Sequence, residues 1–476
     1  MSLHRTLLAA TLCLSSATLA VGQDTLTSEN TDVATATPQL TIFPHPDHAR
    51  YLLSGQANIV FQSHPPFHTP YAGPNSLLSR GEYKVSLIGT LYSGFQLNPH
   101  PRFNTDVIFN LESAGGRGIS EALGLAGFTN LDVVRNPTLG SKPYIARIQL
   151  HQTLGLTSKL VHADRTQFSL ANRVPQRRID LRAGRMSLPD FLDINNPGSD
   201  SHLQFLNWTA DNNGAWDYAA DTRGYTYAFI TEYDDKQWSA RYALALMPTI
   251  ANGVDLQWNL RRASGQNFEL EYRRTPLSPF LDAQRKGTIR ALTFINHANM
   301  GVYRTQNNLA LYARAHSTPT ATPDITAHAA QTTVKYGFGL NFEQELSEDL
   351  RLFGRFGWNE GQHESYAYTE VDQTFQLGAD LKATAWHRPN DKLGLTGISN
   401  AIKRDHQRYL QLGGLGFLLG DGNLSYAREE ILETYYTAHN YRGLFTSFDA
   451  QLIAHPGYNQ SRGPVAVFSV RTHVDF

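Results

Sequence analysis

Residues 466–476 read AVFSVRTHVDF. Ala466, Phe468, Val470, Thr472, Val474 and Phe476 alternate with Val467, Ser469, Arg471, His473 and Asp475. Successive side chains of a strand point to opposite faces, so this segment is a strand with one greasy face and one polar face. The polar face carries full charges, as the wall of a wet lumen does. The greasy face would then meet lipid.

The same pattern recurs along the chain. Tyr336, Phe338, Leu340 and Phe342 oppose Lys335, Asn341, Glu343 and Glu345. Leu444, Thr446, Phe448, Ala450 and Leu452 oppose Ser447, Asp449 and Gln451. Trp238, Ala240, Tyr242 and Leu244 oppose Ser239 and Arg241. Alternation alone fits a soluble sandwich as well as a barrel. Three features favour the barrel: charged polar faces, aromatics at strand ends (Trp238, Trp358, Tyr435, Tyr436), and short turns alternating with long Gly/Pro/Asn-rich loops. The expected fold is an all-β transmembrane antiparallel barrel of about sixteen strands. The first begins near Tyr83, and two Gly-rich strands begin near Leu393 and Leu412.

The segments before the barrel divide by composition. Residues 1–22 read as a secretory signal: His4 and Arg5, an apolar stretch, then Ala20-Val21-Gly22 as a small-x-small cleavage site. Residues 23–43 are a polar leader without periodicity, and 44–80 an irregular segment rich in His and Pro. The barrel is expected over 81–476. Export and this fold place the chain in the outer membrane. No apolar stretch beyond the signal is long enough for a helical span. Lys+Arg of 41 against Asp+Glu of 42 excludes the basic surplus of a nucleic-acid binder. The one cysteine, Cys13, lies in the signal, which excludes structural disulfides and cysteine metal sites from the exported chain.

Several strings resemble one family. They are His64-Pro65-Pro66-Phe67-His68-Thr69-Pro70-Tyr71-Ala72-Gly73-Pro74-Asn75-Ser76-Leu77, Glu112-Ser113-Ala114-Gly115-Gly116-Arg117-Gly118, and Asn212-Asn213-Gly214-Ala215-Trp216-Asp217-Tyr218. Asp221-Thr222-Arg223-Gly224-Tyr225, Lys335-Tyr336-Gly337-Phe338-Gly339-Leu340-Asn341 and Gly420-Asp421-Gly422 complete the set. From about His64 to Phe476 the chain resembles the carbohydrate-selective porins of the OprB type. The resemblance implies a sixteen-stranded channel that passes sugars by diffusion, with no cofactor. Small sugars and outer-membrane lipid are then the expected partners. A Phe at 476 closing an alternating strand also resembles the signal read by barrel-assembly machinery.

Candidate pore residues follow from loops and lumen faces. Glu112 and Arg117 flank a Gly-rich turn and are placed as opposed charges in the pore, against an ordinary solvated pair. Arg147 and Arg182 alternate with apolar neighbours and point inward. Residues 187–223 hold Asp190, Trp208, Trp216, Asp221 and Arg223. The tryptophans suit stacking on a sugar ring, or packing the loop's own core. The acids would suit Ca²⁺, but no EF-hand spacing is present and hydrogen-bonded turns account for them better. His45, His48, His64 and His68 lack helical metal spacing because Pro65 and Pro66 intervene. A pore preferring anions would gather Arg117, Arg147 and Arg182 into one unopposed cluster. A barrel hydrolase would need a nucleophile and base, and no Gly-x-Ser-x-Gly elbow is present.

Overall fold

The computed structural model describes residues 40–46, 48–135, 139–274 and 285–476. The expected signal peptide, 1–22, and the leader up to residue 39 lie outside them.

Eighteen strands form in chain order: β1 (Tyr51–His64), β2 (Glu82–Asn98), β3 (Thr105–Gly116), β4 (Tyr144–Gly155), β5 (Leu160–His162), β6 (Arg173–Pro175), β7 (Arg178–Met186), β8 (Thr226–Asp234), β9 (Trp238–Ala245), β10 (Ser264–Tyr272), β11 (Gly287–Ala298), β12 (Thr333–Glu345), β13 (Leu350–Asn359), β14 (Gln373–Ala383), β15 (Arg388–Ala401), β16 (Glu429–Tyr441), β17 (Leu444–Ala454) and β18 (Val465–Asp475). Sixteen of them close an antiparallel barrel, with β5 and β6 forming a separate hairpin. The expected fold class is therefore present.

The seam lies between β1 and β18, where Gln56 pairs with Asp475 and Ser63 with Phe468. Phe476 extends it, exchanging backbone hydrogen bonds of 2.8 and 2.9 Å with Gly55. Along β18 the predicted faces separate cleanly. Phe468 is 53% exposed and turned outward, whereas Arg471 is fully buried and turned in. The same split runs round the wall, with Phe338, Leu340, Phe375, Leu395, Leu432 and Phe448 on the lipid side. No described helix is long and apolar enough to cross a membrane. Strands do the crossing instead, because closure pairs their backbone polar groups within the sheet.

Two expected elements are corrected. The segment 44–80 is not all irregular, since residues 51–64 form β1 and complete the barrel. Its outward positions include Gly55 and Ala57, so the greasy face is faint in the sequence. No barrel strand begins at Leu412. A helix (Arg404–Gln411) and a Gly-rich loop occupy that stretch, and His406, Tyr409 and Leu410 are buried at helical spacing. The expected number of strands survives because these two errors offset each other.

Turns at one rim are short, such as 235–237, 346–349 and 442–443. The connection at 156–177, which holds the β5–β6 hairpin, is longer. Loops at the other rim are long, and residues 117–135 and 187–225 fold down into the lumen. With Tyr368 of the 360–372 loop, their Phe128, Phe205, Trp208 and Trp216 build an apolar core inside the barrel. Buried ion pairs pin the longer loop to the wall: Asp193 to Arg355 at 3.0 Å and Asp217 to Lys335 at 3.1 Å. Leaving any of these charges unpaired in the interior would be costly, which fixes the loop's position.

Candidate functional site: the lumen channel

A cavity of about 790 Å³ follows the β18–β1–β2–β3–β4 wall. Its lining runs from Thr41, His45, Ser54 and Asp475 at the short-turn rim to Thr222, Arg223 and Asn252 at the long-loop rim. The inward loops have displaced it to one side of the barrel.

Glu112 on β3 ties one part of this lining together. Its carboxylate accepts from the Tyr144 hydroxyl at 2.6 Å, the Tyr225 hydroxyl at 2.9 Å and the Thr90 hydroxyl at 3.0 Å. Arg147 on β4 forms a two-pronged pair with Asp190, both contacts 2.7 Å. A fork-on-fork pair of this kind fixes orientation as well as charge. The guanidinium lies between the rings of Phe168 and Tyr225, 5.3 and 5.1 Å from their centroids. Arg223 lies 4.4 Å over the Tyr144 ring and makes no ion pair among the described residues. Asp221 accepts from Arg185 at 2.6 Å and from two backbone N–H groups of its own turn.

These groups converge because β3, β4 and the start of β8 are near neighbours in the wall, and a single helical turn at 188–190 brings Asp190 inward. Ser187 and Asp190 close a capping box on that turn. Phe168 arrives from the opposite rim, on the chain between β5 and β6. Arginine guanidiniums, carboxylates and phenol rings thus face one passage. They offer donors, acceptors and flat apolar surfaces to a polyhydroxylated solute.

A second cluster lies where loops meet the seam. His202 approaches Asp132 at 3.3 Å and stacks on His473 with ring centroids 5.7 Å apart. Burial alone would push the His202 imidazole down. The Asp132 carboxylate outweighs that and lifts it to about 9.

Of the expected pore residues, Glu112, Arg147, Asp190, Trp208, Asp221 and Arg223 line the cavity. Three do not. Arg117 extends into solvent and pairs with Glu121 at 3.1 Å, not across the pore from Glu112. Its turn has already left the wall, so alternation no longer orients it. Arg182 is inward but covered: it donates to the Phe168 carbonyl at 2.7 Å and sits 4.6 Å over Phe191. Trp216 is fully buried and donates to Asn267 at 2.9 Å, so it serves the loop's own core. Trp208 stacks face to face on Tyr368 and donates to the Asn130 carbonyl at 2.8 Å, with only an edge at the cavity. Sequence reasoning missed Tyr144, Tyr225, Phe168 and His202. Tyr144 and Tyr225 flank expected strand starts, a signal that could have found them. Nothing local announces Phe168 or His202. Tyr435, expected in an interfacial girdle, is buried inside against Phe205. Among the described residues no group of three or more metal-holding side chains occurs.

A closed sixteen-strand barrel with a charged, aromatic-lined passage defines an outer-membrane diffusion channel. The profile of the carbohydrate-selective porin family, OprB, matches residues 92–476, and the chain belongs to that family. Its structure is similar to the high-pH structure of Pseudomonas putida OprB, at 14% identity and TM-score 0.66, covering 90% of this chain and 94% of that one. The low-pH structure of the same protein gives 11% identity and TM-score 0.46, covering 90% and 92%. The outer-membrane channel DcaP of Acinetobacter baumannii gives 8% identity and TM-score 0.47, covering 92% and 100%. No curated protein sequence matches the chain. The family is one of channels, not a class of enzymes, and its members are carbohydrate-selective porins.

Proposed function

We propose that this porin passes small neutral sugars into the periplasm through the lumen cavity, and that Glu112, Tyr144, Arg147, Tyr225 and Arg223 form its selective stretch. One observation carries the reading. Two arginines and two tyrosines line the same cavity, where Arg147 is paired with Asp190 and the unpaired Arg223 is balanced in net charge by the Glu112 carboxylate that accepts from both tyrosines. A compensated charge field hydrogen-bonds hydroxyls without trapping ions. Weak contact suits conduction, because a solute must leave as well as enter.

The anion-preferring alternative finds less support. Its required arginine cluster does not form: Arg117, Arg147 and Arg182 have separate partners. The cavity lining carries seven acidic side chains, Glu112, Asp132, Asp190, Asp200, Asp211, Asp221 and Asp475, against the four arginines 135, 147, 165 and 223 and the charged His202, and burial pushes Asp211 up to about 7. The same surplus of acid would slow the entry of sugar acids. Export by a signal at 1–22, and recognition of Phe476 by assembly machinery, belong to the same proposal and rest on the sequence.

Liposome swelling tests it. Vesicles holding the protein should swell faster in a neutral hexose than in the hexonate of equal size. Equal rates, or faster swelling in the hexonate, would overturn the neutral-sugar reading.

A further inference from the structure

The two rims differ in charge far more than the whole chain suggests. Eight stretches of sequence precede or connect the strands at the short-turn rim: 40–50, 99–104, 156–177, 235–237, 273–286, 346–349, 384–387 and 442–443. They carry twelve Lys and Arg against six Asp and Glu. The long-loop rim joins far more residues, at 65–81, 117–143, 187–225, 246–263, 299–332, 360–372, 402–428 and 455–464. It carries fourteen against sixteen. In the arrangement of this fold class the short turns face the periplasm.

Part of this surplus is used internally. Arg177 pairs with Asp235 at 3.1 Å, and Arg273 reaches Asp234 at 2.6 Å. Arg102, Lys159, Arg173, Lys236 and Arg442 are exposed. Some of the cations are also set at a defined depth. Arg102 lies 5.9 Å from the Phe103 ring, Arg442 5.2 Å from Tyr441, and Arg50 5.5 Å from Phe95. All three rings are exposed; Phe95 lies on the outward face of β2, and Tyr441 pairs with Leu444 on the outward face of β17. Aromatics in that position sit at the lipid–water interface. Stacking holds the guanidiniums beside them.

We infer that the periplasmic rim is a binding surface for the phosphate headgroups of anionic phospholipids in the inner leaflet of the outer membrane. A cation held against a lipid-facing ring lies level with headgroups, and a surface dedicated to a partner deeper in the periplasm would have no use for that placement. The rim is broad and shallow, so it gathers lipids of one charge and does not enclose a single molecule. Each cation near an anionic membrane surface strengthens attraction about fivefold.

The purified barrel in mixed micelles containing equal phosphatidylglycerol and phosphatidylcholine provides the test, with retained lipid counted by native mass spectrometry. The natural protein should retain phosphatidylglycerol over phosphatidylcholine by about tenfold or more. The variant R102Q/K236Q/R442Q should lose most of that preference while conducting as before. Arg50 is left intact because it also donates to the backbone carbonyls of Gln96 and Leu97. Should the triple variant not fold, R102Q and R442Q singly should each lower the preference. Equal retention of the two lipids by the natural protein, or an unchanged preference in the variants, would overturn the inference. Sedimentation of the natural protein, but not the variant, with purified peptidoglycan in the absence of any lipid preference would assign the rim to the cell wall instead.

Discussion

Arg147 and Arg117 are both loop-proximal arginines in the sequence, and the structure gives them opposite weight. Arg147 is nearly buried between two rings and pinned to Asp190, whereas the Arg117 side chain is 61% exposed. Arg147→Ala should cost about 3–5 kcal/mol by stranding Asp190 without its partner. Arg117→Ala should cost no more than about 1 kcal/mol. Thermal unfolding in detergent checks both, and equal losses would contradict the assignment. His202 supplies a pH test. Its folded-state affinity for the proton is raised above the ordinary imidazole range, to about 9. The charged pair with Asp132 therefore contributes its full stabilisation below about pH 6.5, and that contribution is lost as pH rises through about 9. The melting temperature should fall over that interval, and His202→Gln should flatten the fall. A natural protein and variant with the same slope would remove His202 as the cause. At this scale the sequence was informative where strand alternation fixed direction, as for Glu112 and Arg147. It failed where a loop decided: Arg117, Trp216 and Phe168 are oriented by tertiary contacts that no local period encodes.

Strands with strong lipid-facing residues were legible from alternation, and β18 is the clearest. Val470 lies on its outward face near the middle of the strand. Val470→Lys should destabilise the barrel by about 2–4 kcal/mol if that face meets hydrocarbon, measured by unfolding in lipid vesicles. A neutral effect would indicate that the face meets water. β1 was not legible, because Gly55 and Ala57 take outward positions and prolines bracket the segment. Its identity comes from pairing with β2 and β18, a long-range fact. The helix Arg404–Gln411 was misread because glycines after Gln411 resemble a weak strand, while the burial of His406, Tyr409 and Leu410 emerges only against the helix Tyr303–His316 and the loop at 360–372. The inward loop depends on two wall glycines. A Cβ on Gly339 or Gly357 would fall on the Asn213 side-chain amide, so both positions let the loop touch the wall. Gly357→Ala should push the loop off β13 towards the β18–β4 side, cost about 1–3 kcal/mol and narrow the passage. Single-channel conductance should fall. Unchanged conductance with the loop still protected from protease would contradict this account of the constriction.

For the whole molecule, strand alternation and the asymmetry of turns and loops are enough to indicate a closed barrel from the residues alone. The off-centre passage was not legible, because residues 117–135 and 187–225 set its course by packing against a wall distant in sequence. On the proposed function, this wall and these loops leave a passage that neutral sugars enter and occupy briefly. Single-channel current through the purified protein in a planar bilayer, titrated with glucose, tests that claim most directly. Current should fall in a graded way as glucose rises through the millimolar range, and should recover when the sugar is removed. Steps of current indifferent to glucose, yet changing with the identity of the anion, would contradict it.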